Sequence, residues 1–418
     1  MINFLKKFKT RFLLFLMVLG PGIITAVADN DAGGVATYTV AASLYGMASQ
    51  FLIIPETILL GITQEIGARI AIVTRKGLGD LMRERYGIKV SLLIFILYFI
   101  TNQGVVLQNV AGLKAVFELF GMNWRLFLIL TVGSLIFFII SFNYKKLQKL
   151  FLFMVIFYFS YIFSAILAKP NWKEAIVESM VWPTKIDIFD LTFWFSRIAV
   201  LGTTITAWGQ FFVHSYIIDK KLDIKHLKYE TWEVYFGAFL TNFFSWMMAL
   251  AVTYTLFVHK IPVNDGFRAA LAIKPFAGDL AFIFFGIGLF AASILGLTIV
   301  PLATAYVFSE IFGYEGSLDS NFVKGKLFYT FFILQILIGV IIAFFPQTSL
   351  FKLTLYVDFL NGAMLPIIFY FLMKFSENEQ IMGPYTTKGF SRTIVRSALV
   401  IITILVVLSF IGKILHLA

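Results

Sequence analysis

The chain has 418 residues, of which 60% are hydrophobic and only 14% are charged. A soluble protein carries roughly a quarter charged residues, so this composition excludes a soluble fold and predicts an integral membrane protein. The sequence contains no cysteine, which excludes disulfides, thiolate metal ligands and thiol catalysis.

Apolar runs of about 20 residues can cross a bilayer as helices. We count eleven such runs, which predict an all-α integral membrane protein with a single transmembrane domain over residues 1–418. They lie near 12–44, 47–74, 88–112, 125–142, 149–168, 191–218, 230–259, 277–311, 326–345, 348–374 and 393–415. The first and sixth runs are interrupted. The longest connection, around 169–190, is amphipathic and flanked by Trp172 and Trp182, so we expect it to lie on the membrane surface.

The net charge of +11 is concentrated in every second connection between the apolar runs. This distribution follows the positive-inside rule, so it places these connections and the N-terminus in the cytoplasm and the C-terminus outside. It predicts a protein of the cell membrane that contacts the lipid bilayer and no nucleic acid. The basic clusters are Lys6, Lys7, Lys9 and Arg11; Arg75, Lys76, Arg83, Arg85 and Lys89; Lys145, Lys146 and Lys149; Lys220, Lys221, Lys225 and Lys228.

The first interruption places Asp29 and Asp31 within a hydrophobic span, directly before Gly33 and Gly34. An ionised side chain at membrane depth costs roughly 3 kcal/mol or more unless it is compensated. Glycine weakens helix interiors, so we expect the helix to break here and to free backbone carbonyls near Ala28. Carboxylate and carbonyl oxygens at the midplane predict a cation site in a transporter.

The second interruption lies in the sixth run, where Thr203, Thr204 and Thr206 stand between Gly202 and Gly209. Two broken helices at corresponding places in opposed halves indicate a transporter built from inverted repeats, with its site at the midplane. The predicted repeats cover about 12–168 and 191–374, and the last helix, about 393–415, lies outside them. The backbone carbonyl near Thr203 and the hydroxyls of Thr204 and Thr206 join the predicted site.

Motifs along nearly the whole chain resemble the NRAMP family of divalent-metal transporters, and more closely its NRAMP-related magnesium transporter branch. The resemblance implies a leucine-transporter-like fold and alternating access. Its specificity lies in the order and spacing of the motifs. These are Gly20-Pro21-Gly22, Asp29 to Tyr38, Gln64 to Arg69 with Gly77-Leu78, Leu201 to Thr206, Pro301 to Tyr306, Ser309-Glu310, Phe312-Gly313, Asn361-Gly362 and Met382-Gly383.

The departures from the family pattern concern the predicted ion ligands. The usual Asp-Pro-Gly-Asn of the first break falls on Asp31 to Gly34, so the acid is kept and the Asn ligand is lost. The usual Ala-x-x-Met-Pro-His of the sixth helix falls on Thr203 to Trp208, so Thr206 replaces the Met and Trp208 replaces the His. The resemblance therefore implies a harder site, with Asp29 and Asn30 supporting a partly hydrated ion.

An all-oxygen site suits Mg²⁺, Ca²⁺ or Mn²⁺ better than Fe²⁺ or Zn²⁺. We predict a secondary transporter that moves Mg²⁺, and also Mn²⁺, as its substrate. Proton-coupled relatives carry acidic residues in the third span, whereas this chain has amides, so we expect no proton coupling. The amides are Asn102, Gln103, Gln108 and Asn109.

Four further polar residues are candidates for gating or coupling, and one for ion contact. Glu65 and Arg69 stand four residues apart and can pair on one helix face. Glu56 is a functional candidate if it is unpaired, and it is otherwise paired with Arg197 or neutral. Trp208 replaces the family's His. Asp358 occupies a position in the tenth span that faces the substrate path in related transporters.

Three alternatives remain open at this point. A proton-coupled Mn²⁺/Fe²⁺ transporter shares the fold, and so does an amino-acid symporter, although two acids in the first break disfavour an anionic substrate. A membrane enzyme would need a His/Cys metal site or a nucleophile with its base, and the four His are scattered. We therefore expect no enzyme and no cofactor, and the sequence is compatible with a monomer.

Overall fold

The structure, a computed structural model, describes residues 20–414 apart from residues 182, 184, 185, 188, 262, 264, 265, 321 and 346–349. The start of the first predicted span, the first basic cluster, Trp182 and the end of the last span lie outside the described residues. Within the described residues the secondary structure is entirely helical, which confirms the predicted all-α class.

The described residues of the first half of the chain form eight α-helices. They are α1 (Pro21–Ala28), α2 (Ala32–Tyr45), α3 (Ile53–Thr74), α4 (Leu78–Leu119), α5 (Trp124–Ser141), α6 (Tyr144–Phe157), α7 (Ser160–Leu167) and α8 (Trp172–Met180). A 3₁₀ helix, Gly46–Gln50, joins α2 to α3. The predicted surface segment around 169–190 contains the short amphipathic helix α8.

The second half forms the remaining helices. They are α9 (Leu191–Thr204), α10 (Ala207–Asp219), α11 (Leu227–Val252), α12 (Gly266–Phe312), α13 (Lys326–Ala343), α14 (Leu350–Ser376), α15 (Glu379–Met382) and α16 (Gly389–Ile414). Short 3₁₀ segments, Ile224–His226 and Gly383–Tyr385, precede α11 and follow α15, and a π-helical turn, Thr253–Phe257, follows α11.

Nine segments of the described structure are long and apolar enough to cross a membrane. These are Ile53–Thr74, Leu78–Leu119, Trp124–Ser141, Tyr144–Leu167, Ile224–Phe257, Ala277–Phe312, Lys326–Ala343, Thr354–Ser376 and Gly389–Gly412. The helices α1, α2, α9 and α10 are each too short to cross alone, with 8 to 14 residues. Eleven spans result only if each of these pairs counts as one span, so the number eleven and the inverted repeats stay predictions.

The broken helices lie at the centre of the bundle. Helix α1 packs mainly on α11, α9 packs mainly on α14, and α4 packs along α12. In contrast, α5 and α16 bury only a small part of their surface and present Leu, Ile and Phe outward. An apolar exterior around a polar centre is the arrangement that a lipid environment requires.

Candidate ion site at the two helix breaks

The first break separates α1 from α2 at residues 29–31. Asp31 has extended backbone dihedrals (φ −67°, ψ −173°) and caps α2 by accepting a hydrogen bond from the Gly34 amide at 3.1 Å. The Ala32 amide, which would bond to the Ala28 carbonyl in a continuous helix, donates instead to Asn109 Oδ1 at 3.0 Å. The predicted break is confirmed, and it releases the Ala28 carbonyl from the helical ladder.

The second break separates α9 from α10 at Ile205 and Thr206. Ile205 leaves the helical region (φ −121°, ψ 85°), and the Thr206 hydroxyl caps α10 by accepting from the Gly209 amide at 2.9 Å. Threonine is a favoured helix N-cap because its hydroxyl satisfies an amide that the helix leaves free. The break therefore falls within the predicted threonine segment.

The two breaks touch each other. Thr206 Oγ1 donates to Asp29 Oδ1 at 2.5 Å, which ties the end of α1 to the start of α10. A second contact joins α2 to the end of α9, because a Cβ on Gly34 would lie only 2.8 Å from Thr203 Oγ1. Gly34 therefore lets α2 approach the threonine segment closely.

Asp31 lies between α4 and α12. Asn109 Nδ2 donates to Asp31 Oδ2 at 2.8 Å, and a Cβ on Gly296 would stand 2.5 Å from the Asp31 Cβ. Asp31 is 3% exposed and Asp29 is fully buried. The two carboxylates are close enough to repel each other electrostatically. Both are therefore closed off from solvent in this arrangement.

Asp358 of α14 belongs to the same polar centre. Its Oδ2 accepts from Thr37 Oγ1 at 2.5 Å and its Oδ1 from Gln108 Nε2 at 3.2 Å. Gln108 Oε1 has no hydrogen-bond partner in the described structure, and it lies 2.4 Å from the position a Cβ on Gly33 would take. Asp31 Oδ1 is 3.1 Å from that position, so Gln108 stands between Asp31 and Asp358.

Asn30 turns away from the two aspartates and binds α11. Its Nδ2 donates to the Thr241 carbonyl at 2.6 Å and to the Thr241 hydroxyl at 2.8 Å, and its Oδ1 accepts from Ser245 Oγ at 2.8 Å. The side chain amide is thus fully engaged with α11. In this arrangement Asn30 anchors the first break, and its contact with an ion stays a prediction.

Thr204 and Trp208 also fill structural positions beside the breaks. Thr204 Oγ1 donates to the Val200 carbonyl at 2.7 Å and lies 2.6 Å from the Tyr38 hydroxyl. Trp208 is fully buried, and its Nε1 has no hydrogen-bond partner in the described part of the chain. The role of Thr204 in ion binding and the role of Trp208 in coupling stay predictions.

Three of the residues predicted for gating or coupling, Glu56, Glu65 and Arg69, form ion pairs in the structure. Arg197 Nη2 contacts Glu56 Oε1, both side chains are buried, and Arg197 Nη1 donates to the Ser49 carbonyl. Of the alternatives for Glu56, the structure shows the pair with Arg197. This pair joins α9 to α3 and to the 3₁₀ helix that follows α2.

The second pair connects α3 to the segment between α14 and α16. Arg69 binds Glu65 through two nitrogens at 3.0 and 3.1 Å, as the four-residue spacing predicts. Arg69 also donates to the Tyr385 carbonyl at 2.7 Å and to Thr387 Oγ1 at 3.0 Å. The predicted pairing of Glu65 with Arg69 is confirmed, and a role of this pair in gating stays a prediction.

Sequence reasoning missed the amides as partners of the carboxylates. Gln64 Nε2 lies 3.4 Å from Asp29 Oδ2, while Asn109 and Gln108 contact Asp31 and Asp358. Gln108 and Asn109 were noted only because they do not titrate. The signal that could have found them is an amide in the middle of an apolar span, since polar residues at that depth need partners.

Every side chain that donates a hydrogen bond to Asp29, Asp31 or Asp358 in the described structure is a hydroxyl or an amide. Within the described residues, no three His, Cys, Asp or Glu side chains are grouped so that they could hold one metal ion. An ion at this centre would therefore depend on one or two carboxylates, neutral oxygens and water.

A helical membrane bundle with two touching helix breaks and buried carboxylates at their junction is the architecture of a secondary transporter. The chain belongs to the Nramp family, because the model described as "Natural resistance-associated macrophage protein-like" matches residues 22–412. It is a multi-pass membrane transporter and not an enzyme.

Two relatives share low sequence identity with this chain. A divalent metal cation transporter MntH from Staphylococcus haemolyticus is 21% identical over 395 residues, which cover 90% of this chain and 87% of that protein. An MntH from Verminephrobacter eiseniae is 28% identical over 110 residues, 25% of each chain.

Solved structures show the same fold. The Eremococcus coleocola manganese transporter aligns with a TM-score of 0.78 at 16% identity, covering 95% of this chain and 86% of its own. MhsT in complex with L-phenylalanine aligns with a TM-score of 0.60 at 14% identity, covering 96% and 97%. At these identities the likeness shows the fold alone.

Proposed function

We propose that this protein moves Mg²⁺, and also Mn²⁺, across the cell membrane by alternating access and without proton coupling. The observation that carries the proposal is the junction of the two breaks, where Asp29 and Asp31 are buried with neutral partners only. A divalent cation would neutralise two buried negative charges, which the described neighbours leave uncompensated. The N-terminus and the basic connections would face the cytoplasm.

The choice of ion follows from the donor atoms. The metal ligands available here are hard oxygen atoms, namely the hydroxyls of Thr203 and Thr206 and the amide oxygen of Gln108. Such ligands suit Mg²⁺ and Mn²⁺ better than softer transition metals. Mg²⁺ keeps several of its waters when it binds proteins, so a site with few carboxylates fits it. This agrees with the proposed place in the magnesium-transporting branch.

A proton-coupled Mn²⁺/Fe²⁺ transporter is the second candidate, because the Eremococcus coleocola protein of the same fold is a manganese transporter. Mn²⁺ is common to both candidates, so Mg²⁺ and Fe²⁺ distinguish them. MhsT shares the fold and was solved with an amino acid, but an amino acid carries a carboxylate that Asp29 and Asp31 would repel. The amino-acid symporter is therefore the weaker alternative.

Uptake into proteoliposomes tests the proposal. We expect Mg²⁺ and Mn²⁺ to enter along their gradients, with Fe²⁺ and Zn²⁺ entering at least about tenfold more slowly. Thr206→Met introduces the thioether found in other family members and should shift uptake towards Fe²⁺. Thr206→Ser keeps the hydroxyl and is its matched control. Fe²⁺ or Zn²⁺ uptake without Mg²⁺ uptake in the unmodified protein would overturn the magnesium assignment.

A further inference from the structure

A buried acid of α11 holds the beginning of α1. Glu233 Oε1 accepts hydrogen bonds from the Gly20 amide and from the Ile23 amide, the latter at 3.2 Å, and Glu233 is fully buried. The first amides of a helix have no partner within the helix. Gly20 precedes α1 and has no side chain that could cap it. The cap therefore comes from another helix, 213 residues further along the chain.

The backbones of α1 and α11 meet directly beside this cap. A Cβ on Gly22 would lie 2.9 Å from Val234 Cγ2 and 3.0 Å from the Val234 Cα. A Cβ on Gly237 would lie 2.9 Å from the Gly22 carbonyl oxygen. Such a fit requires glycine on both helices, so α1 is seated on α11 in one specific position.

The position of Glu233 is costly, which argues that it serves more than packing. Glu230, one turn earlier on α11, is also fully buried and repels Glu233, while Lys220 attracts both. Glu233 Oε2 and both carboxylate oxygens of Glu230 have no hydrogen-bond partner in the described residues. Two acids face one lysine in a dry environment, where an uncompensated charge is unfavourable.

We propose that Glu233 is a positioning residue that latches α1 onto α11 and keeps the ion site closed on the side where α1 begins. This inference rests on the proposed alternating access. Asp29 directly follows α1, so opening the site on that side requires α1 to leave α11 and its first amides to leave Glu233. Asn30 remains bound to Thr241 and Ser245 further along α11 and provides the pivot.

Cysteine labelling tests the latch, because the chain has no native cysteine. Ala26→Cys places a thiol on α1 at a fully buried position, and its reaction rate with a hydrophilic maleimide in detergent measures how often α1 opens. On this background we expect Glu233→Ala to raise the rate about tenfold, since a charged cap is lost. Glu233→Gln keeps an acceptor oxygen and should give a smaller increase.

Glu230→Gln is the matched control. It changes the other carboxyl group of the same buried cluster, but Glu230 has no bond to α1 among the described contacts, so the labelling rate should stay within about twofold. If Glu230→Gln accelerates labelling as much as Glu233→Ala does, the charge of the cluster and not the cap controls opening, and the latch is refuted.

A second probe separates opening from unfolding. Ser49→Cys lies beside the Arg197 contact at the opposite end of the first broken helix and is also buried. Under the latch, Glu233→Ala accelerates labelling at the α1 probe and leaves the Ser49 probe unchanged or slower. Equal acceleration at both probes, or at neither, would refute the latch. Uptake of Mg²⁺ and Mn²⁺ by the unmodified protein is measured separately, and its absence would refute the proposed function instead.

Discussion

Each carboxylate oxygen of Asp29 and Asp31 accepts a hydrogen bond from a neutral group. Asp29 is bound by Thr206 and Gln64, and Asp31 by the Gly34 amide and Asn109. Neutral donors fix the orientation of a carboxylate but leave its charge uncompensated. At membrane depth this arrangement is unfavourable unless a cation shares the site, which is why these two residues are expected to control transport.

Replacing Asp31 with Ala should abolish Mg²⁺ and Mn²⁺ uptake, with a loss of at least about 100-fold, because it removes the carboxylate charge that attracts the cation. Asp31→Asn tests the charge with nearly the same shape and should also fail. Uptake is measured in proteoliposomes at matched protein amounts. Asp187→Asn changes an exposed acid between α8 and α9 and should leave uptake unchanged. Normal uptake by Asp31→Ala would contradict the site.

The three consecutive residues of the first break illustrate how far sequence reasoning reaches. The polar run predicted a break, which is confirmed, and a charged centre, which stays a prediction. It did not reveal that Asp29 faces α10, Asn30 faces α11 and Asp31 faces α4. The direction of each side chain depends on dihedrals outside the helical region, which local sequence does not determine.

At the scale of the helices, glycine and threonine located both breaks because these residues weaken a helix interior. Two further kinks lie where predicted runs begin, whereas one division of a helix is not predicted. Gly87 (φ 78°) and Gly278 (φ 85°) interrupt α4 and α12, and α6 and α7 replace one predicted span. Gly87 and Gly278 stand beside charged residues at the starts of the predicted runs 88–112 and 277–311. The division between α6 and α7 falls at Tyr158 and Phe159, where no glycine or proline marks it, so tertiary packing decides it.

The contact between α9 and α14 depends on Gly202, which makes a testable case. A Cβ there would lie 2.1 Å from the Asp358 carbonyl oxygen and 2.4 Å from the Gly362 amide nitrogen. These are backbone atoms that cannot move individually. Gly202→Ala should therefore destabilise the protein by about 1–3 kcal/mol or separate the two helices. Thermal unfolding in detergent, followed by size-exclusion chromatography, measures the loss.

Gly133→Ala is the matched control, because Gly133 is also inside a helix and a Cβ there would meet nothing within 4 Å. This change should be neutral, or stabilising by up to about 1 kcal/mol, since alanine is the better helix former. Similar melting temperatures for the two variants would show that the close contact of α9 with α14 does not limit stability.

Over the whole molecule, two buried charged contacts lie near opposite ends of the first broken helix. Glu233 binds the amides at the start of α1, and Arg197 joins Glu56 to the carbonyl of Ser49, just after α2. The Glu233 contact connects the start of α1 to α11. The Arg197 contact connects the segment after α2 to α3 and α9. Alternating access requires that only one side opens at a time, and these contacts are suited to hold the two sides closed in turn.

Proton coupling is the remaining property of the whole molecule that an experiment can decide. Trp208 replaces the family's His, and α4 offers Asn102 and Asn109 where coupled relatives carry acids, so we expect Mn²⁺ uptake without stoichiometric acidification of the vesicles. A pH-sensitive dye inside proteoliposomes measures this directly. Asp358 is a titratable group next to these amides, since it accepts hydrogen bonds from Thr37 and Gln108 beside Asp31. Acidification in fixed ratio to Mn²⁺ entry would contradict uncoupled transport, and its loss in Asp358→Asn would assign the proton to that carboxylate.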